Sequence, residues 1–185
     1  MHGRSWLGVG AALAVAGAAA GIVAWPDPEP PFVDGRLRAD LVPLIQAHLE
    51  TKADLGGALD AQPELKSRWL CDLELIETER RGPDLLAGVY ASCGEFAKTG
   101  ASLVTGTGFL SPMRVTVRSG AVTSVERPLD GAGFQPTVSR MFTEAGERKV
   151  FDLIDSGGPF ERDRLPERAR RAFGLPADAP IRDHP

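Results

Sequence analysis

Side chains able to act as acid, base or nucleophile are few among the 185 residues: three His, two Cys, and 25 Asp plus Glu against 21 Lys plus Arg. His2 precedes a long uncharged run and His184 falls in a proline-flanked tail, so His48 is the one imidazole inside the part that reads as a folded domain. An imidazole works as a base only beside a group that orients it. The carboxylates to set against it are Asp72 and Glu74 on a strand, and Glu95 close to Cys93. In one reading His48, Asp72 and Glu74 form the acid and base of a small pocket-containing enzyme or ligand carrier. In the other, His48 is a half-buried structural imidazole, the carboxylates are strand surface, and no residue is catalytic. The second reading leads.

Two motifs invite chemistry and lack its context. Asp155-Ser156-Gly157-Gly158-Pro159 matches the string around the nucleophile of chymotrypsin-like serine proteases. A nucleophilic serine needs a histidine held by a carboxylate, and that fold needs two β-barrels, for which this chain is too short. The string is expected to be a helix C-terminus turned by two glycines. Gly106-Thr107-Gly108 lacks the further glycine and the following helix of a dinucleotide site, and a bulged strand accounts for it. So few His and Cys leave few means of building a metal site, and no metal or cofactor is expected. A formal charge of −4 argues against nucleic acid as a partner.

The cysteines carry the sharpest geometric expectation. From Trp69 the apolar period is two: Trp69, Cys71, Leu73 and Leu75 share one face, with Leu70, Asp72, Glu74 and Ile76 on the other. Arg80-Arg81-Gly82-Pro83-Asp84 signals a turn, and residues 85–96 alternate again. A hairpin centred near Gly82 sets Cys71 opposite Cys93, Leu73 opposite Ala91 and Leu75 opposite Val89. A closely spaced pair brings Cα atoms to about 4.5 Å, within disulfide range. One Cys71–Cys93 bridge is therefore expected, stabilising the fold by about 3 kcal/mol on the chain-entropy estimate.

The elements around that hairpin follow from periodicity. Residues 34–55 read as a helix with Leu37, Leu41, Leu44, Ile45 and Leu49 in one stripe, capped by Asp34 or Asp40, with Pro43 tolerable if the regular helix starts at Asp40. Residues 101–110 and 113–118 carry strand signals, and 121–127 returns after Ser119-Gly120. Met141, Phe142, Ala145, Val150, Phe151 and Ile154 suit a helix covering one sheet face. A last helix spans about 165–173, with Pro166 in its first turn and Gly174 after it. Arg162, Arg164, Arg168, Arg170 and Arg171, interleaved with Glu161, Asp163 and Glu167, read as a solvated face, or as a contact for anionic lipid or cell-wall polymer.

At the start of the chain, residues 5–25 carry no charge and hold eight Ala and four Gly. Arg4 before the run and Asp27 and Glu29 after it orient the N-terminus to the cytoplasm and the remainder outward. At about 1.5 Å rise per residue, Trp6 and Trp25 stand roughly 28 Å apart, close to the thickness that aromatic belts flank. A single transmembrane anchor is the leading expectation. A cleaved signal peptide, followed by secretion, is the alternative, since Ala14-Val15-Ala16 and Ala18-Ala19-Ala20 both resemble cleavage sites. Gly17 and Gly21 form a small-xxx-small pair through which two anchors would dimerise. Setting Arg4 aside moves the formal charge from −4 to −5.

The expected organisation is an anchor or signal segment over 1–25, a Pro-rich spacer over 26–35, an α+β domain over 36–160, a helix over 161–175 and a disordered tail over 176–185. The fold class is α+β, with an N-terminal helix packed on a curved four-stranded antiparallel meander, one or two C-terminal helices, and the transmembrane helix ahead of them. Element order resembles the cystatin-like or nuclear-transport-factor-like roll. With its Ala-rich start, Trp69-Leu70-Cys71, Tyr90 before Cys93 and a Phe-containing helix, the chain also resembles small, uncharacterised, membrane-anchored or secreted proteins of actinobacteria over about 39–155. That resemblance implies a fold and no particular activity. The expected function is a tethered extracytoplasmic interaction or accessory domain without catalysis, its partners being the membrane through 5–25 and an envelope protein.

Overall fold

The computed structural model describes residues 33–51 and 54–183. Helix α1 spans Gly35–Thr51. Asp34 Oδ1 accepts from the backbone N–H of Arg36 at 2.7 Å and of Leu37 at 3.2 Å, satisfying two amides that have no partner within the helix. With that cap the helix starts ahead of Asp40 and holds Pro43 in its interior. Pro43 is exposed, and the backbone bond it forfeits is offset by burial of Leu41, Ile45 and Leu49, each at most 4% exposed and each contributing about 1.5–3 kcal/mol.

Strands β1 (Arg68–Arg81), β2 (Asp84–Thr99), β3 (Ser102–Arg118) and β4 (Ala121–Glu126) form an antiparallel meander in that order. Cys71 faces Cys93, Leu73 faces Ala91 and Leu75 faces Val89, the register the hairpin pattern predicts. The turn itself is tighter than a centre at Gly82 implies. Arg81 pairs with Asp84 around Gly82-Pro83, Gly82 takes φ 59°, and a bulge at Ile76 absorbs the extra residue. β3 is one strand of 17 residues where two separate signals were legible. Its own bulge, at Gly106-Thr107, lies opposite Glu95.

The tail departs from expectation. Residues 176–183 are ordered against the sheet, and β5 (Ile181–Asp183) runs parallel to Leu103–Thr105 of β3. Leu103 N–H donates to the Pro180 carbonyl at 2.9 Å, Ala179 is buried, and Arg170 Nε donates to the Ala179 carbonyl at 3.0 Å. These long-range contacts, rather than any local periodicity, order the segment. The sheet is accordingly five-stranded and mixed, not a four-stranded antiparallel one.

Three helices follow the meander: α2 (Phe134–Met141), α3 (Glu144–Asp155) and α4 (Arg164–Ala172). The single helix read over 141–154 is interrupted because Thr143 caps α3, its Oγ1 accepting from Gly146 N–H at 3.1 Å. Thr143 in turn donates from N–H and Oγ1 to Glu77 of β1, at 3.0 and 2.5 Å. α1 covers one face of the sheet, burying Leu41, Ile45 and Leu49 against Cys71, Leu75, Val89, Met113 and Val115. The opposite face is shared: α2 and α3 pack on Ile76 and Tyr90, while α4 packs on Leu70, Phe96 and Leu103.

Among the described residues no helix is long and apolar enough to cross a membrane. The expected anchor, most of the spacer, and the Gly17 and Gly21 pair lie outside the described residues.

Candidate functional site

The bridge comes first, because it sets the sheet on which every candidate side chain stands. Cys71 and Cys93 are bonded, with an S–S distance of 2.08 Å and Cα atoms 4.1 Å apart. That short Cα separation marks the closely spaced, non-hydrogen-bonded kind of antiparallel pair. The backbone polar groups of Cys71 therefore point away from β2, toward the free edge of the sheet.

At that edge they meet side chains. Cys71 N–H donates to Glu50 Oε1 of α1 at 2.9 Å, and the Cys71 carbonyl accepts from Arg168 Nη1 of α4 at 2.7 Å. Four residues along, the Leu75 carbonyl accepts from Arg38 Nη2 at 3.0 Å. Arg168 also binds Glu50 at 2.8 Å and Asp72 Oδ1 at 2.9 Å. Arg164 Nε faces Asp72 Oδ2 at 3.2 Å, near enough for charge attraction though off the line of a hydrogen bond. Asp72, expected as strand surface or as an acid, is thus a buried carboxylate neutralised by two arginines. At Cys71 and at the Leu75 carbonyl the edge groups that could pair with another chain are thereby occupied.

Arg168 was read from sequence as part of a solvated basic face. Its place was legible in part: it stands one helical turn from Leu165 and beside Ala169, so its stem shares the apolar side of α4. Glu50, next to Leu49 and four residues after Gln46, received no role from sequence. It accepts from Gln46 Nε2 at 3.0 Å as well.

The remaining candidates stand apart from one another. Glu74 pairs with Arg38 at 3.1 Å, the side chains 31% and 41% exposed respectively. His48 is half-buried and lines an open cleft of about 240 Å³ between α1 and the β3–β4 turn, with Leu44, Ala47, Thr51, Gly120, Ala121 and Val122. Among the described residues no carboxylate lines that cleft. The structure does not bring His48, Asp72 and Glu74 together as an acid and base around one cavity.

Among the described residues Glu95 is the most enclosed carboxylate, 1% exposed. Its Oε2 accepts from Leu59 N–H at 3.1 Å and Thr107 N–H at 3.3 Å, while Oε1 has no hydrogen-bond partner in the structure. Two glycines make room for it. A Cβ on Gly57 would stand 2.3 Å from Oε1, and one on Gly106 would stand 2.4 Å from Oε2. Glu95 thereby ties the short 3-10 turn at Ala58–Ala61 to the β3 bulge, helped by Ala58 N–H donating to Thr107 Oγ1 at 2.9 Å. The sequence signal was the glycine at 106, read as a bulge; the close approach that requires it was not legible.

The serine motif resolves as a helix end. Ser156 Oγ donates to the Leu153 carbonyl at 3.1 Å, and Gly157 and Gly158 take φ 80° and 85°. Above them Tyr90 stacks on Phe160 with ring centroids 6.2 Å apart, and burial pushes the Tyr90 phenol above its ordinary range. Among the described residues no cluster of His, Cys, Asp and Glu is suited to a metal ion. In this arrangement charged side chains clasp α1 and α4 to the β1 edge. No family model, curated protein or solved structure matches the chain.

Proposed function

We propose that this protein is an extracytoplasmic, membrane-tethered interaction or accessory domain that performs no catalysis. The observation that carries the reading is the Cys71–Cys93 bridge at the centre of the fold, since structural disulfides persist in oxidising compartments. The uncharged 5–25 run with Arg4 before it supplies the expected tether. The carboxylates offered as catalytic are committed elsewhere: Asp72 to Arg168 and Arg164, Glu74 to Arg38, and Glu95 to backbone amides.

The test is to treat intact cells, then lysed cells, with a membrane-impermeant thiol reagent and an external protease, reading the chain by mass. The expected result is a membrane-bound chain whose domain is cleaved from outside and whose cysteines react only after reduction. A cytosolic chain with two free thiols overturns the reading.

A further inference from the structure

A second cleft, separate from the one at His48, has a volume of about 310 Å³. Its walls come from three distant parts of the chain: the 3-10 turn Pro63–Leu65, the closed end of the β2–β3 hairpin, and β5.

Strand parity says which side chains face it. Leu103 packs with Phe96 and Ala169 on the α4 face, so Ser102 and Val104 stand on the other face, with Thr99 opposite Ser102. β5 sets Arg182 beside Val104 and Asp183 beside Thr105. Arg182 therefore shares the side of Ser102 and Val104, whereas Asp183 borders the cleft with its Oδ1 already held by Thr105 Oγ1 at 2.9 Å. Leu65 closes the cleft from the turn. The walls so assembled carry one cation, two hydroxyls and two aliphatic side chains.

Those polar groups have no partner within the described residues. The buried polar side chains there are Asp72, Glu95, Ser102, Ser111 and Thr137. Four of them make a hydrogen bond: Asp72 to Arg168, Glu95 to Leu59 N–H, Ser111 to the Pro112 carbonyl and Thr137 to the Gly133 carbonyl. Ser102, 7% exposed, makes none with its hydroxyl. The fully enclosed unpartnered atoms are one oxygen each of Asp72 and Glu95, so the Ser102 oxygen keeps contact with the open space it lines. The Thr99 hydroxyl and the exposed Arg182 guanidinium are likewise unbonded. An enclosed hydroxyl left without a bond is costly, and a ligand that supplies the bond removes that cost.

We propose that this cleft binds a small carboxylate bearing a short hydrocarbon tail. The Arg182 fork and the Ser102 and Thr99 hydroxyls donate to the carboxylate in charge-assisted bonds. The tail lies on Leu65 and Val104, which a hydrated inorganic anion would leave unused. A volume near 310 Å³ is at the small end of ligand pockets, about 300–1,000 Å³, and suits a short acid rather than a long acyl chain. A free acid and the carboxyl end of a peptide present the same chemistry. β5 gains a role as well, because it carries the one cation to the cleft. The site goes beyond the interaction-domain reading and does not depend on where the domain resides, so its failure leaves the tethered reading standing.

The experiment is a titration of the full chain, held in an uncharged detergent and followed by amide NMR. The probes are valerate, N-acetylvaline as the carboxyl end of a peptide, valeramide as the uncharged counterpart of valerate, and inorganic phosphate. Valerate or N-acetylvaline is expected to give saturable shifts at Thr99, Ser102 and Val104, the tighter of the two naming the source. Valeramide and phosphate are expected to bind weaker by about ten-fold or more. Arg182→Ala and Ser102→Ala should each weaken the tighter carboxylate by about ten-fold. Ser102→Ala should leave the urea midpoint of the free chain unchanged, since its hydroxyl holds nothing there. Equal binding of valeramide or phosphate, shifts centred on another surface, no saturable shift, or an unaltered affinity in Arg182→Ala overturns the proposal. A lowered urea midpoint in Ser102→Ala does so too, by showing that the hydroxyl already has a structural partner.

Discussion

Arg168 of α4 reaches Glu50 of α1 at 2.8 Å past the free edge of β1, so helices on opposite faces of the sheet hold each other. The same guanidinium holds Asp72 and the Cys71 carbonyl. Its five donors in a planar fork suit three acceptors at once, which a lysine ammonium does not match.

Removing Arg168 leaves the Asp72 carboxylate, only 5% exposed, with Arg164 alone, takes the arginine from Glu50, and leaves the Cys71 carbonyl without its donor. Arg168→Ala is expected to lower unfolding free energy by about 3–5 kcal/mol, the range for breaking one partner of a buried pair. Arg168→Lys should recover part of it. Urea denaturation measures both, and a loss below about 1 kcal/mol for Arg168→Ala would show that the clasp contributes little.

The Cys71–Cys93 bridge closes a loop over the first hairpin. Replacing both cysteines by alanine should cost about 2–4 kcal/mol, and the reduced natural chain should behave like the variant. Urea midpoints with and without reductant give the comparison. Equal midpoints would mean that the register is held by packing alone.

Gly57 and Gly106 test the Glu95 cradle in different ways. The three atoms nearest a Cβ on Gly57 all belong to Glu95, whereas one on Gly106 also meets Leu59 Cγ at 2.8 Å. Both Gly→Ala changes should destabilise by about 1–3 kcal/mol. In a double-mutant cycle with Glu95→Ala, the Gly57→Ala penalty should largely vanish and the Gly106→Ala penalty should persist in part. Additive penalties at Gly57 would contradict the cradle.

Asp84 at the start of β2 hydrogen-bonds Arg118 at the end of β3, at 2.5 and 2.8 Å. The guanidinium bond holds the Asp84 carboxyl below the usual carboxylate range. A lowered folded pKa contributes stability above the unfolded value near 3.9, and that contribution is lost as pH falls through the folded value. Asp84→Asn should therefore flatten the acid limb of a stability profile and leave the neutral region otherwise parallel. An unchanged acid limb refutes the assignment.

Tyr90 is the single tyrosine of the chain, so its ionisation can be read without interference from another phenol. Burial under Phe160 and α3 raises its pKa. A raised folded value gives stability that is full below about 10, the unfolded pKa, and is lost as pH rises through the folded one. Ultraviolet phenolate absorbance is expected to appear above the ordinary tyrosine range, together with loss of structure. An ordinary titration of an intact fold would show the ring to be accessible.

The local patterns were enough for the first hairpin. A period of two from Trp69, a Gly-Pro turn and two cysteines on one face leave one register that puts the apolar residues together, and Cys71 faces Cys93 in it. α1 was legible for the same reason, as its stripe of Leu and Ile repeats with the helical turn. What the sequence by itself determined is this near-neighbour framework, because alternation and helical period are properties of consecutive residues.

Only the tertiary structure decided which charges are surface and which are clasps. Arg168 and Glu50 are separated by 118 positions, and no spacing rule links them. β5 forms because β3 offers an open edge to Ile181, not because its three residues favour a strand by themselves. Asp72 and Glu95 look alike in sequence as carboxylates near cysteines, yet one is paired with arginines and the other accepts hydrogen bonds from backbone amides in a glycine cradle. Their roles differ because the groups that desolvate and partner them arrive from distant parts of the chain. The same holds for β3: that β4 takes its Arg114–Arg118 end and β5 its Leu103–Thr105 stretch is settled when the sheet assembles.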